Sequence, residues 1–66
     1  MSPFEALKYE FGTLSQLASL LRMKETALYQ WVKRGQIPIK HVKKIEDLSQ
    51  GRLTAQILRP DLFGGN

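Results

Sequence analysis

Apolar residues recur at helical spacing in successive stretches of this chain, and capping or breaking residues fall between the stretches. Phe4, Leu7 and Phe11 share one face with Lys8 and Glu10 turned away, which predicts a first amphipathic helix with Leu7 and Phe11 in the core. Ser2, Pro3 and Glu5 spell its start: a capping hydroxyl, a residue with φ preset for the first turn, and a carboxylate able to reach back to the cap amide. Gly12 supplies the positive φ that stops it, and Thr13 with Gln16 repeats the capping pattern, so a second helix opens at once. Leu17, Ala18 and Leu21 line that helix. Ala27, Leu28 and Trp31 line a third, from Glu25 to about Lys33, stopped by Gly35. After Pro38, a seam of Ile39, Val42, Ile45 and Leu48 predicts a fourth helix closed by Gly51, and the absence of period-two alternation argues against a strand. Thr54 is placed to cap a short fifth helix carrying Ile57 and Leu58 to the core before Pro60. From about Asp61 the tail is expected to be loosely ordered, with Leu62 and Phe63 either docking on the domain or meeting a partner.

The segment Leu14–Trp31 organises the rest. Two short helices joined by Arg22-Met23-Lys24 face one another, with Ala18 small enough for close approach where they cross and Met23 filling the corner. This is the phasing of a helix-turn-helix motif. Its second helix turns Glu25, Thr26, Tyr29, Gln30 and Lys33 outward, a set able to read base edges in a major groove. The turn departs from preference twice: Arg22 stands where Gly suits a positive φ, and Lys24 stands where Ser or Thr would cap. Both cations sit at the helix start, unfavourable for its dipole but well placed for a DNA phosphate.

Length and composition narrow the picture. Sixty-six residues make one domain, spanning residues 1–66, and no cysteine rules out disulfides and thiolate metal sites. No apolar run approaches a membrane span and no signal peptide is visible, so a soluble cytoplasmic protein is expected. Ten Lys and Arg against six Asp and Glu give a net charge of +4, which attracts polyanions and gains meaning here beside the motif.

Catalytic chemistry finds little support. His41, the single histidine, has no cysteine or acidic cluster beside it and is expected on the surface; Glu46 and Asp47 point in different directions from one helix. Trp31 is expected in the core rather than stacked on a base, whereas Tyr29 points out and could touch a thymine methyl or a phosphate. Gln30 can bond adenine, Glu25 can accept from the cytosine amino group, and Thr26 can touch a methyl or a phosphate. Lys33, Arg34, Lys40, Lys43 and Lys44 flank this helix and would neutralise phosphates, or form an ordinary solvated face.

The stretch FGTLSQLASLLRMKETALYQWVKRGQIP, a following helix and the close LRPDLFG resemble the Cro repressors of lambdoid phages and prophages and their antitoxin-like relatives. The resemblance covers most of the chain. It rests on the phasing of Leu17, Ala18, Leu21, Met23, Leu28 and Trp31, on WVKRGQIP from Trp31 to Pro38, and on Leu58-Arg59-Pro60-Asp61. It implies base reading by Glu25, Thr26, Tyr29 and Gln30, and phosphate contacts from Ser15, Gln16, Arg22, Lys24, Lys33, Arg34, Lys40 and Lys43. Leu14 departs from the family, where Gln is frequent and contacts a phosphate. The family exists in an all-helical form and one with a C-terminal hairpin, and the seam from Ile39 to Leu48 selects the helical form.

The expectation is therefore an all-α, lambda-repressor-like bundle of about five short helices. Its function would be that of a Cro-like repressor occupying a palindromic operator in a bacterial host, nucleoid-associated, without cofactor, metal, small-molecule ligand or enzymatic activity. It would pair weakly, mainly on DNA, through apolar surface near Leu53, Leu62 and Phe63. The rival is an antitoxin-like or adaptor module that binds another protein through Leu62, Phe63 and the basic face.

Overall fold

The computed structural model describes residues 2–64, and the first two helices in it start at capping boxes. In α1 (Pro3–Phe11) the Ser2 hydroxyl accepts from the Glu5 amide at 3.2 Å while the Glu5 carboxylate accepts from the Ser2 amide at 3.0 Å. That backbone hydrogen bond holds the Glu5 carboxyl below its ordinary pKa. Gly12, at φ 93°, ends the helix, and its amide donates to the Lys8 carbonyl. A side chain on Gly12 would run into the Gln16 amide oxygen, which is needed on the Thr13 amide at 3.0 Å to complete the second capping box. The same glycine thus ends α1 and leaves room for the cap of α2 (Leu14–Leu21).

Arg22 closes α2 in the left-handed region, φ 58° and ψ 43°, and the Met23 amide reaches back to the Ala18 carbonyl at 2.9 Å. The third helix, α3, spans Glu25–Arg34. No side chain among the described residues caps its start at Lys24, whereas Glu25 in its first turn and Lys33 and Arg34 in its last complement its dipole. Gly35, at φ 75°, ends it.

The fourth helix, α4, spans Ile39–Leu48 and corrects two sequence expectations. Val42 and Ile45 are buried and Leu48 half-buried, but Ile39 is 55% exposed, because the segment delivers Ile37, fully buried just before Pro38, to the core instead. The helix also stops at Leu48, short of Gly51. The buried Ser49 hydroxyl donates to the Glu46 carbonyl and accepts from the Leu53 amide, both at 2.9 Å, so it takes over the helix end before the positive-φ residues Gln50 and Gly51.

Thr54 caps α5 (Ala55–Leu58) as expected. Leu58 is buried, but Ile57 is exposed: consecutive helical residues diverge by about 100°, so one turn cannot deliver both to one core. Where a loosely ordered tail is expected from about Asp61, Pro60 starts one more helical turn, α6 (Pro60–Phe63), giving six helices among the described residues rather than five; Gly65 and Asn66 lie outside them. Arg59 anchors it, its guanidinium forking onto both Asp61 carboxylate oxygens at 3.0 and 2.7 Å while Nη1 donates to the Ile37 carbonyl at 3.0 Å.

Leu7, Leu17, Leu28, Ile37, Ile45 and Leu58 are fully buried, one from each of α1 to α5 and one from the α3–α4 link. Packing runs α1 on α2, α2 on α3, α4 on α5, α5 on α6, and α5 back on α1. The described residues contain no strand. The fold is all-α with a helix-turn-helix unit in α2 and α3, and no described helix is long and apolar enough to cross a membrane.

Candidate nucleic-acid interface

Trp31, Leu28 and Ala27 pin one side of α3 to the core, and this leaves Thr26, Tyr29, Gln30 and Lys33 exposed on the other, with Glu25 half-buried at the first position. The outward set is therefore the product of inward phasing. Tyr29, 51% exposed, donates its hydroxyl to Glu25 Oε2 at 2.5 Å across one helical turn. The accepting carboxylate pushes the Tyr29 phenol above its usual pKa, so it stays a proton donor.

A shallow groove runs between the start of α2 and the start of α3, lined by Lys8, Thr13, Leu14, Ser15, Glu25 and Tyr29. It brings Ser15 together with Glu25 and Tyr29. Lys8 was not foreseen there. Its signal was the corner at Gly12, which is too short to separate the last turn of α1 from the first turn of α2. Gln16, also in the first turn of α2, has its side-chain oxygen committed to Thr13, leaving the amide NH2 as its outward group. Arg22 and Lys24 are exposed on either side of Met23.

Arg22, Lys24 and the other cations expected to meet phosphates do not line that groove. Lys33 and Arg34 sit exposed at the far end of α3, where the helix dipole already favours them. Lys40 and Lys43 are exposed on α4, and Lys43 makes an exposed ion pair with Asp47 at 3.5 Å. His41, expected at the surface, is half-buried against Trp31 instead; its place on α4 beside the buried Val42 swings it toward the indole. Leu53, expected to help form a dimer surface, is buried in the core, which leaves Ile57, Leu62 and Phe63 as the exposed apolar residues at the C-terminal end. Among the described residues no cluster of His, Cys, Asp or Glu has the makings of a metal site.

Comparison with known proteins places this geometry. A family model described as "Bacterial toxin YdaS" matches residues 5–66. Among solved structures, the Cro protein from the putative prophage element Xfaso 1 of Xylella fastidiosa strain Ann-1 superposes with a TM-score of 0.84 at 31% identity, covering 98% of this chain and 100% of that one. A search of curated proteins finds no match. The expected resemblance to Cro proteins is thus met in both sequence and fold, and the chain belongs to the Cro-like helix-turn-helix family whose model bears the description of the bacterial toxin YdaS.

Proposed function

We propose that the protein is a sequence-specific double-stranded DNA-binding regulator that represses transcription by occupying a palindromic operator in the bacterial cytoplasm. The observation that supports it most is the exposed polar side of α3, held out by the burial of Leu28 and Trp31 beside a capped α2. On this reading Glu25, Thr26, Tyr29 and Gln30 face base edges. Ser15, Gln16, Arg22, Lys24, Lys33, Arg34, Lys40 and Lys43 face phosphates, and Lys8 joins them. The described residues extend 34 Å at most, about one turn of B-DNA, so one copy suits one half-site and two copies a palindrome. Ile57, Leu62 and Phe63 offer too little area for a tight free dimer, so pairing occurs mainly on DNA.

A second reading has one observation in its favour: the exposed Leu62 and Phe63, which would suit an antitoxin-like or adaptor protein-interaction module. Selection of bound sites from a random duplex pool, followed by shift assays on half-site and full palindrome, separates the two. Saturable, sequence-selective binding that is tighter on the palindrome supports the regulator; binding no better than to random DNA removes it.

A further inference from the structure

We propose that Glu25 reads the amino group of one cytosine in each operator half-site, and that Tyr29 is its positioning residue rather than a base reader in its own right. The inference rests on the DNA-binding reading above, names the base that Glu25 meets, and moves Tyr29 from the base-reading set to a supporting role.

A phenol has a single proton to donate, and that of Tyr29 is spent on Glu25 Oε2 at 2.5 Å. Donating to a base or a phosphate would mean breaking a short, charge-assisted bond. Glu25 is the first residue of α3, the end of a recognition helix that meets base edges in helix-turn-helix complexes. Its other oxygen, Oε1, has no donor among the described residues. The i, i+4 bond therefore fixes the carboxylate by one oxygen and leaves the second available.

A carboxylate only accepts hydrogen bonds, and in a groove walled by phosphates it is repelled unless a donor meets it. The major groove offers two such donors, cytosine N4 and adenine N6. Adenine places the N7 acceptor beside its amino group, where it would oppose the carboxylate, whereas cytosine places a C–H there. Cytosine is the better match. Lys8, lining the same groove, reduces the cost of bringing a negative charge toward DNA.

Site selection from a random duplex pool with wild type, Glu25→Gln and Tyr29→Phe tests this, with thermal melts confirming that each variant folds. The wild type is expected to require a cytosine at one position of each half-site, losing about 5- to 150-fold when that base is changed. Glu25→Gln is expected to shift the preference at that position toward adenine, because an amide can bond N6 and N7 together. Tyr29→Phe is expected to weaken discrimination at that position alone. A selected site in which no cytosine responds to Glu25→Gln overturns the inference and leaves the regulator reading standing. So does a Tyr29→Phe variant that loses affinity equally for every sequence. Failure of the wild type to select any site overturns both.

Discussion

The imidazole of His41 stacks on the indole of Trp31, ring centroids 5.1 Å apart and planes inclined by 30°. Trp31 is the buried aromatic of α3, so this contact ties α3 to α4 from the side opposite the exposed Thr26, Tyr29 and Gln30. Burial, helped by the charge of Lys40, lowers the His41 pKa below its ordinary 6.5. The unfolded chain then takes up the proton first as the pH falls. The stabilisation is complete above pH 6.5 and is lost as the pH drops through the folded value. Melting temperature is expected to fall between pH 7 and about 5, and His41→Phe, which keeps an aromatic ring but cannot titrate, should flatten that slope. An unchanged slope in the variant would contradict the assignment. Below about pH 5, Glu5, Glu10 and Asp61 add their own losses, since hydrogen bonds to Ser2, Arg52 and Arg59 hold all three below their usual values.

Arg59 should be the costliest charged residue to remove. It is nearly buried, and its Nη1 satisfies the carbonyl of the fully buried Ile37. Arg59→Ala leaves that carbonyl unpaired and is expected to cost about 1–3 kcal/mol, a drop on the order of 4–20 °C for a domain of this size. Asp61→Ala, at a half-exposed carboxylate, should cost less than Arg59→Ala. Calorimetry of the two variants checks the order, and a larger effect from Asp61 would reverse the account.

On the proposed function, Arg22 and Lys24 are expected to set stability against DNA affinity. Arg22→Gly removes a side chain from a left-handed backbone position and is expected to stabilise by up to about 1 kcal/mol; Lys24→Ser supplies the missing cap and should add about 0.5–2 kcal/mol. On the proposed function, each change also deletes a phosphate contact, so binding should weaken for all sequences and its salt slope should shallow by about one unit. Denaturation curves and salt titrations on the same two proteins separate the effects. Greater stability with unaltered salt dependence would return both residues to solvent.

Gln30→Ala and Lys43→Ala should differ in kind. The first removes an exposed amide from the middle of α3 and is expected to relax preference at one base pair, costing about 1–3 kcal/mol on the selected site. The second removes a cation on α4 that is partly neutralised by Asp47, and should weaken random and selected DNA alike, by less than a fully free lysine would. Equal loss on both DNAs after Gln30→Ala would move base reading off this side of α3.

What could be read in the sequence followed from short-range chemistry. Ser2 with Glu5, Thr13 with Gln16, and the stops at Gly12 and Gly35 are pairs or single residues whose roles are settled within one turn, and all appear in the structure as expected. The phasing of Leu17, Ala18, Leu28 and Trp31 revealed the motif for the same reason. The misses are of another kind. Ile39 fits a three-residue spacing, yet whether the core reaches the first turn of α4 depends on Ile37, which belongs to no helix. Ser49 ends α4 early through a hydroxyl bond to Leu53, a turn whose partner is known only once the chain has doubled back. His41 reads as polar surface but is drawn against Trp31 on another helix, and nothing in the local spacing gives Arg59 its inward role, which depends on the Ile37 carbonyl far back in the chain. Around the candidate interface, the place of Lys8 and the Tyr29–Glu25 bond were not legible, because spacing gives which side a residue occupies and not what it holds there.

The corner at Gly12 and Thr13 has a bearing on how this chain can vary over time. With two residues between α1 and α2, an inserted residue can be absorbed only by lengthening one helix, which turns that helix by about 100° and swings Leu7 out of the core. Between α4 and α5 the exposed tip at Gln50 and Gly51 carries no such helical phase relation, and an extra residue there would widen the bend at the expense of the Ser49–Leu53 hydrogen bond without rotating either helix. Lineages of this fold should therefore gain and lose residues at the second joint while keeping the first at fixed length, so that gaps in an alignment mark which joints serve as hinges and which as gauges.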